Sequence, residues 1–311
     1  MPALDVPVSH SENEFCNFPG EIYYSKPGLA IERGSVERQQ SQSLDVRELD
    51  EDRVASGKDD RQFVTALARG LEVLRAFRPG SGALGNQEIA DFTGLPKPTV
   101  SRLTHTLTKL GYLNHLARLG KYELGTPVLS LGYVALSNMQ VRNVARAEMQ
   151  ELATYADASV ALADRDRLSM LYIQNCVGQS TLALRIDVGT RVPMAFTSLG
   201  RAMLAAVPEN ERQYLMDHIK KRYDGNWRKL RKSIEDCVDQ VGARGFCLVD
   251  GEWRQHVRAV AVPLILPNGA GVMALNCAGP TMKLTLEQLE TDMGPRLVHL
   301  ARNVETMIAT P

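Results

Sequence analysis

No stretch of this 311-residue chain approaches the roughly 18–20 consecutive apolar residues that a membrane helix needs. The N-terminus also lacks the basic-then-apolar order of a secretory leader. Its five cysteines (Cys16, Cys176, Cys237, Cys247 and Cys277) are odd in number, scattered and without a CxxC pair. That argues against a disulfide framework or a structural zinc site and predicts a cytoplasmic protein with no membrane association. The six histidines show no HxxxH or HxH spacing, and neither GxSxG nor a phosphate loop occurs. Asp250-Gly251-Glu252 supplies two acids, but in a spacing common on surface loops. Catalysis, a cofactor and a metal are therefore not expected. A charge excess is missing too: 36 basic and 36 acidic residues cancel, so the totals do not announce a nucleic-acid binder.

The distribution of charge is more informative. Residues 1–60 hold 6 basic and 13 acidic side chains, residues 61–124 hold 9 and 4, and the remainder holds 21 and 19. A basic block inside a neutral chain suits a module that grips phosphates. An apolar content of 44% is enough for two cores in a chain of this length. The acidic segment 1–60 has no sustained hydrophobic period and reads as a disordered tail. A translation start downstream, near Val36 or Val54, is the other reading, and neither carries function.

From Phe63 the pattern changes. Phe63, Leu67, Leu71, Leu74 and Phe77 recur at helical steps and predict one apolar face, stopped by Arg78-Pro79-Gly80. Asn86 is the expected N-cap of a short helix, Gln87 to Phe92, with Ile89 and Ala90 inward. After the Thr93-Gly94 turn, Pro96 and Pro98 introduce a helix running from Lys97 or Pro98 to Leu110. Its predicted inner face is Val100, Leu103, Leu107 and Leu110. Arg102, His105 and Lys109 point the other way, with Ser101 on the flank. Tyr112-Leu113 and Tyr122-Glu123-Leu124 flank a turn at Leu119-Gly120, a hairpin that would be a wing. Residues 61–124 thus predict a winged helix-turn-helix DNA-binding domain.

Residues 125–157 read as a linker or dimerisation segment, one long helix from Gly125 to about Ala156, rich in apolar residues that want a partner helix. Packing within its own chain is the alternative. Beyond it, residues 158–311 alternate signals. Strands are expected near Ser159–Ala163, Leu168–Asn175, Thr181–Ile186, Phe246–Asp250, Arg258–Ile265 and Val272–Cys277. Helices are expected at Leu199–Ala206, Glu209–Arg222, Trp227–Val241 and Leu284–Ala309. Hairpin connectors at Asp164-Arg165-Asp166 and Pro267-Asn268-Gly269 favour an antiparallel sheet flanked by helices, an α+β class.

Several segments, in order, resemble the isocitrate lyase regulator (IclR) family of bacterial transcription factors. They are Leu67-Ala68-Arg69-Gly70-Leu71-Glu72-Val73-Leu74, Gln87-Glu88-Ile89-Ala90, Thr93 through Leu103, and Gly120-Lys121-Tyr122-Glu123-Leu124-Gly125. Further on come Gly189, Pro193, Gly200-Arg201-Ala202-Met203-Leu204-Ala205, Gly242 to Phe246, Val260-Ala261-Val262-Pro263 and Ala274 to Pro280. The segment from Phe63 to Leu71 resembles the branch controlling aromatic-acid catabolism through protocatechuate or 4-hydroxybenzoate. The acidic tail departs from the pattern, as does Pro98, where relatives often have Ser. The resemblance implies a GAF-like distal domain, homodimers and often dimers of dimers, and repression or activation of a catabolic operon.

Candidate residues follow. Lys97 and Thr99, at the start of the second helix, suit phosphate. Arg102 and His105 have reach and direction for base edges in a double-stranded operator, Arg suiting guanine. Ser101 and Lys109 flank them, and Arg118 and Lys121 in the wing would hold backbone. A solvated side chain is the plainer reading of each, His105 most of all. For a small organic acid effector, Thr197-Ser198 opens a helix whose unpaired N–H groups attract a carboxylate, with Leu199 and Gly200 following. An ordinary N-cap is the alternative there. The resemblance carries effector contacts onto Ser198, Leu199, Asp250, Val257, Ala259, Asn276 and Ala278; a relative has serine where Asn276 and Ala278 stand. A small-molecule enzyme and an architectural DNA-binding protein without an effector are the competing classes.

Overall fold

The structure is a computed structural model that describes residues 62–179, 184 and 186–309. The acidic segment 1–60 and most of the strand expected at Thr181–Ile186 lie outside these residues.

The first unit is a three-helix winged helix: α1 (Thr65–Arg75), α2 (Asn86–Thr93) and α3 (Lys97–Lys109), with β1 (Leu84–Gly85), β2 (Leu113–Leu116) and β3 (Lys121–Leu124). β3 pairs antiparallel with both others, so the expected hairpin gains a third strand. Val73, Ala76, Leu84, Ile89, Ala90, Val100 and Leu113 form the core.

Three local expectations change. Asn86 is the first residue of α2 rather than its cap; Gly85 precedes it, and its N–H is held by Glu88 at 2.6 Å. The Asn86 side chain instead accepts from Thr104 at 3.1 Å, joining α2 to α3. Thr104 is fully buried on the inner face of α3, whereas Leu110 lies exposed past its end. On α1, the Phe63–Leu67–Leu71 edge is exposed and the buried contacts fall on Val73 and Ala76.

The expected single long linker helix is two. α4 (Thr126–Ser137) ends with Asn138 as C-cap, and Met139 is extended (ψ 91°) before α5 (Gln140–Ala156) begins. Asn is a poor interior residue and a good terminator, which is why apolar periodicity running through it misled. The two helices differ in surroundings. α4 buries no residue, while α5 sinks Val141, Ala145, Met149, Leu152 and Ala153 against the distal sheet.

That sheet is six-stranded and wholly antiparallel, in the order β6-β5-β4-β9-β8-β7. Its strands are β4 (Ser159–Asp166), β5 (Ser169–Val177), β6 (Arg191–Pro193), β7 (Cys247–Asp250), β8 (Val257–Leu266) and β9 (Gly271–Pro280). β6 was not anticipated, being three residues long. β4 runs through Asp164–Asp166, and the turn falls at Arg167, whose φ is +58°. One face carries α6 (Ser198–Ala206), α7 (Glu209–Arg222) and α8 (Trp227–Arg244). The other carries α5 and α9 (Gly294–Ala309), the latter entered through a turn at Leu286–Gln288 and a π-helical turn at Leu289–Met293. The result is α+β, with α6 lying over β8 and β9, where Ala259, Ala261, Ala274 and Ala278 keep the face shallow.

Ion pairs join the winged helix to this sheet. Arg75 on α1 reaches both Asp166 oxygens at 2.9 and 3.1 Å, and Asp166 also accepts from Arg191 of β6 at 2.7 Å. Arg167 reaches Glu72 at 2.6 Å.

Candidate functional sites

Helix α3 has a dry side and a wet side. Val100 and Thr104 are buried and Leu103 and Leu107 half-buried; Lys97, Ser101, Arg102, His105 and Lys109 are exposed, and Thr99 is half-exposed near the N-terminus. The helix therefore presents one cationic stripe to solvent while its other side is fixed to α1 and α2. Arg118 stands exposed at the tip of the wing. Lys121 is engaged: its Nζ lies 3.0 Å from Glu88 Oε1. The Gly85 N–H and then Lys121 hold the Glu88 carboxyl below its usual pKa, so this contact fastens the wing to α2. Sequence spacing could not reveal it, because the partners are 33 residues apart.

The second site is a cleft between the α6 N-terminus and the β8–β9 face. Of the expected residues, Thr197, Ser198, Leu199, Val257, Ala259, Asn276 and Ala278 line it. Strand registry brings the last four together: Ala259 faces Ala278 and Ala261 faces Asn276 across β8–β9. Gly200 and Asp250 do not line it. Gly200 lets α6 pass against the preceding turn, since a Cβ there would stand 2.1 Å from the Met194 carbonyl oxygen. Asp250 points outward and pairs with Arg258 at 2.7 Å; its neighbour Val249 faces the cleft. The two-residue alternation of β7 was the signal that could have made this distinction.

Reasoning from sequence missed Tyr172, Leu184, Phe196, Trp253 and Arg254, which complete the lining. They come from β5, the segment before α6 and the loop 251–256. Trp253 and Arg254 stack, with the guanidinium 4.7 Å from the ring centre. Thr197 is an ordinary N-cap as well as a lining residue: it accepts from Gly200 N at 3.4 Å and donates to the Pro193 carbonyl at 2.9 Å. Ser198 is different. It is 2% exposed, and its Oγ has no partner among the described residues. Asn276, 4% exposed, likewise leaves its Oδ1 unpaired. Both atoms belong to cleft-lining residues, next to Tyr172, whose hydroxyl meets the Asn276 amide and whose pKa burial drives upward. Unpaired buried polar atoms cost about 1–3 kcal/mol each, so two beside one cleft mark a place suited to a polar ligand.

The loop over the cleft is tied down from behind. Arg201 of α6, completely buried, makes two hydrogen bonds to Glu252, 2.8 and 2.6 Å long. It also donates to the Ala195 carbonyl and to Ser233 Oγ, both at 2.9 Å. The Arg201 guanidinium and the Ser233 hydroxyl hold the Glu252 carboxyl below its usual pKa against the opposing effect of burial.

A winged helix with an outward cationic helix, joined to a sheet domain that holds a polar-ended cleft, is the architecture of a DNA-binding transcription regulator. Comparison with known proteins narrows this. The model for the IclR helix-turn-helix domain matches residues 66–117, and that for the bacterial transcriptional regulator IclR C-terminal domain matches residues 133–306. The chain belongs to the IclR family of transcriptional regulators. It is 33% identical over 245 residues to the HTH-type transcriptional regulator TsaQ1/TsaQ2 of Comamonas testosteroni, covering 78% of this chain and 88% of the relative. Against the Pca regulon regulatory protein of Pseudomonas putida it is 31% identical over 254 residues, 81% and 87% of the two chains. An IclR-family regulator of Brucella abortus, solved as a crystal structure, shares 50% identity, covering 82% of this chain and 96% of that one, with a TM-score of 0.75. Among the described residues, no helix is long and apolar enough to cross a membrane.

Proposed function

We propose that this regulator controls a catabolic operon in response to a small carboxylic acid, most naturally an aromatic one, bound in the cleft beneath α6. The observation that carries the proposal is the pair of unpartnered buried polar atoms, Ser198 Oγ and Asn276 Oδ1. They suit a ligand with hydroxyl or carboxyl groups, while Tyr172, Phe196 and Trp253 suit a flat ring. The α6 N-terminus and Arg254 favour a negative charge. A structural neighbour of this fold, an IclR homolog from Microbacterium hydrocarbonoxydans, was solved in complex with 4-hydroxybenzoate. As folded, the cavity is about 30 Å³, room for little more than water. A ligand the size of 4-hydroxybenzoate therefore needs a wider cleft than the one described, and a preference for the wider form is what would let it bias two conformations.

DNA recognition follows from the α3 stripe. Arg102 and His105 read base edges; Lys97, Thr99, Ser101, Lys109, Arg118 and the wing around Lys121 position the backbone. A homodimer would place two such helices about one DNA turn apart. It would also cover the uncovered apolar side chains of α1 and α4, Leu67, Leu71, Leu129 and Tyr133 among them, which stay exposed in the single chain. The Arg191–Asp166–Arg75 and Arg167–Glu72 contacts give the coupling a physical route from the segment before α6 to α1.

Isothermal titration with 4-hydroxybenzoate, protocatechuate and short-chain carboxylates tests the cleft. Binding abolished by Ser198→Ala supports it; no binding by any acid leaves an architectural DNA-binding role. For the reading head, Arg102→Ala should cost roughly 1–3 kcal/mol of operator affinity at fixed salt, and unchanged affinity removes that assignment.

A further inference from the structure

The walls of the cleft differ in how firmly they are held. Tyr172, Val257, Ala259, Asn276 and Ala278 stand on β5, β8 and β9, each hydrogen-bonded to a strand on either side. On α6, every residue from Ser198 to Leu204 is buried, and Gly200 leaves no space between that helix and the Met194 backbone. Moving either wall would disrupt a close-packed core. Trp253 and Arg254 belong instead to the loop 251–256, which joins β7 to β8. Its Glu252, Gln255 and His256 are exposed. Backbone hydrogen bonds gather its ends, from Gly251 N–H to the Val257 carbonyl at 3.0 Å and from Val257 N–H to the Arg254 carbonyl at 2.9 Å. Thr281 N–H holds the His256 carbonyl, also at 2.9 Å. Gly251, at φ +69°, starts the loop in a conformation that suits glycine.

Glu252 does not line the cleft. Its carboxylate accepts from Arg201 Nη1 and Nη2 at 2.8 and 2.6 Å, and from Ser233 Oγ at 2.7 Å. We propose that Arg201 and Glu252 are positioning residues for ligand binding: their ion pair latches the loop 251–256 shut, and that loop is the wall that yields to a ligand. This rests on the effector reading of the cleft, and it names the element that moves and the contact that restrains it.

The pair makes the closed loop the ground state. Arg201 has no exposed side-chain surface, so once Glu252 leaves, its charge stays in the interior with neutral partners such as the Ala195 carbonyl and Ser233. A charge stranded in that way is costly, and the loop returns. Opening is still within reach, because the Glu252 side chain is already 35% exposed and water can take its carboxylate. A cavity of about 30 Å³ does not hold an aromatic ring, so the ligand-bound form is the open one. Ligand affinity is then reduced in proportion to the scarcity of open molecules. Weakening the latch raises the open fraction, so a substitution that destabilises the fold tightens ligand binding. Neither Arg201 nor Glu252 lines the cleft, and their effect on the ligand passes through the loop.

The experiment uses the full-length protein in a Trp227→Phe background, where Trp253 is the one remaining tryptophan. Without ligand, acrylamide quenching of Trp253 should rise severalfold in Glu252→Gln and by less in Ser233→Ala. Val304, buried on α9 at the opposite face of the sheet, provides the control. Val304→Ala lowers stability by leaving a cavity and should not change the quenching. With 4-hydroxybenzoate or protocatechuate, isothermal titration should show Kd falling severalfold from the parent to Glu252→Gln. Equal quenching in the parent and Glu252→Gln, an equal rise in Val304→Ala, or unchanged or weaker ligand binding in Glu252→Gln overturns the latch. If neither acid binds any form, the effector reading fails, and the ligand-free quenching still decides whether the loop is latched. Ser233→Ala carries both arms if Glu252→Gln does not fold.

Discussion

Replacing Glu252 by Gln removes one charge from a pair whose other member cannot reach water. Arg201 has no exposed side-chain surface and would keep only the Ala195 carbonyl, Ser233 and the Cys237 sulfur as full partners. Breaking a buried pair from one side costs about 3–5 kcal/mol. Glu252 is 35% exposed, so water replaces part of what is lost, and about 2–3 kcal/mol is the expected cost. For a distal domain of this size, that lowers the melting temperature by about 5–10 °C. A second arm tests the cause: adding Arg201→Met to Glu252→Gln should recover part of the loss, because an apolar chain replaces an unpaired charge.

The pH dependence has a defined sign. The folded Glu252 pKa lies below its ordinary value of 4.5, so its contribution is present in full above that pH and is lost as pH falls through the folded value. Thermal unfolding by circular dichroism should therefore show a wild-type advantage at neutral pH that closes in acid. Equal melting temperatures at neutral pH, or a gap unchanged in acid, would refute the reasoning.

Two further outcomes are expected. Gly200→Ala drives a methyl group into the Met194 backbone, at 2.1 Å from its carbonyl oxygen, and should destabilise the distal domain by about 3 kcal/mol or more in urea titration. Asp166→Asn weakens the contacts to Arg75 and Arg191, so hydrogen exchange of the α1 amides should quicken severalfold while the six-stranded sheet stays protected. Unchanged exchange in α1 would mean that Asp166 does not restrain the winged helix.

Much of the architecture was legible because it rests on local periodicity. The α3 segment shows its dry and wet sides in the order of Val100, Arg102, Leu103 and His105, and burial follows that order. Helices α7 and α8 and strands β8 and β9 lie close to where alternation and breakers predict them. Failures cluster where a distant partner decides. Thr104 is polar yet buried, because Asn86 on another helix meets it. Apolar periodicity through Asn138 suggests one helix, but α5 turns to follow the sheet while α4 stays uncovered.

The candidate cleft divides along the same line. Residues of single motifs, such as Thr197-Ser198 and Asn276-Cys277-Ala278, were within reach of sequence reasoning. Tyr172, Trp253 and Arg254 were not, since they join the cleft from other parts of the chain.

By itself, the order of amino acids determined the membership of the chain in its family, the winged-helix module and the outward cationic stripe, because each depends on neighbours a few residues apart. Tertiary structure alone decided which atoms are left without partners, that Lys121 is tied to Glu88, and that Arg201 reaches 51 residues ahead to hold Glu252. Burial and pairing are properties of three-dimensional neighbours, and separation along the chain does not encode them one residue at a time.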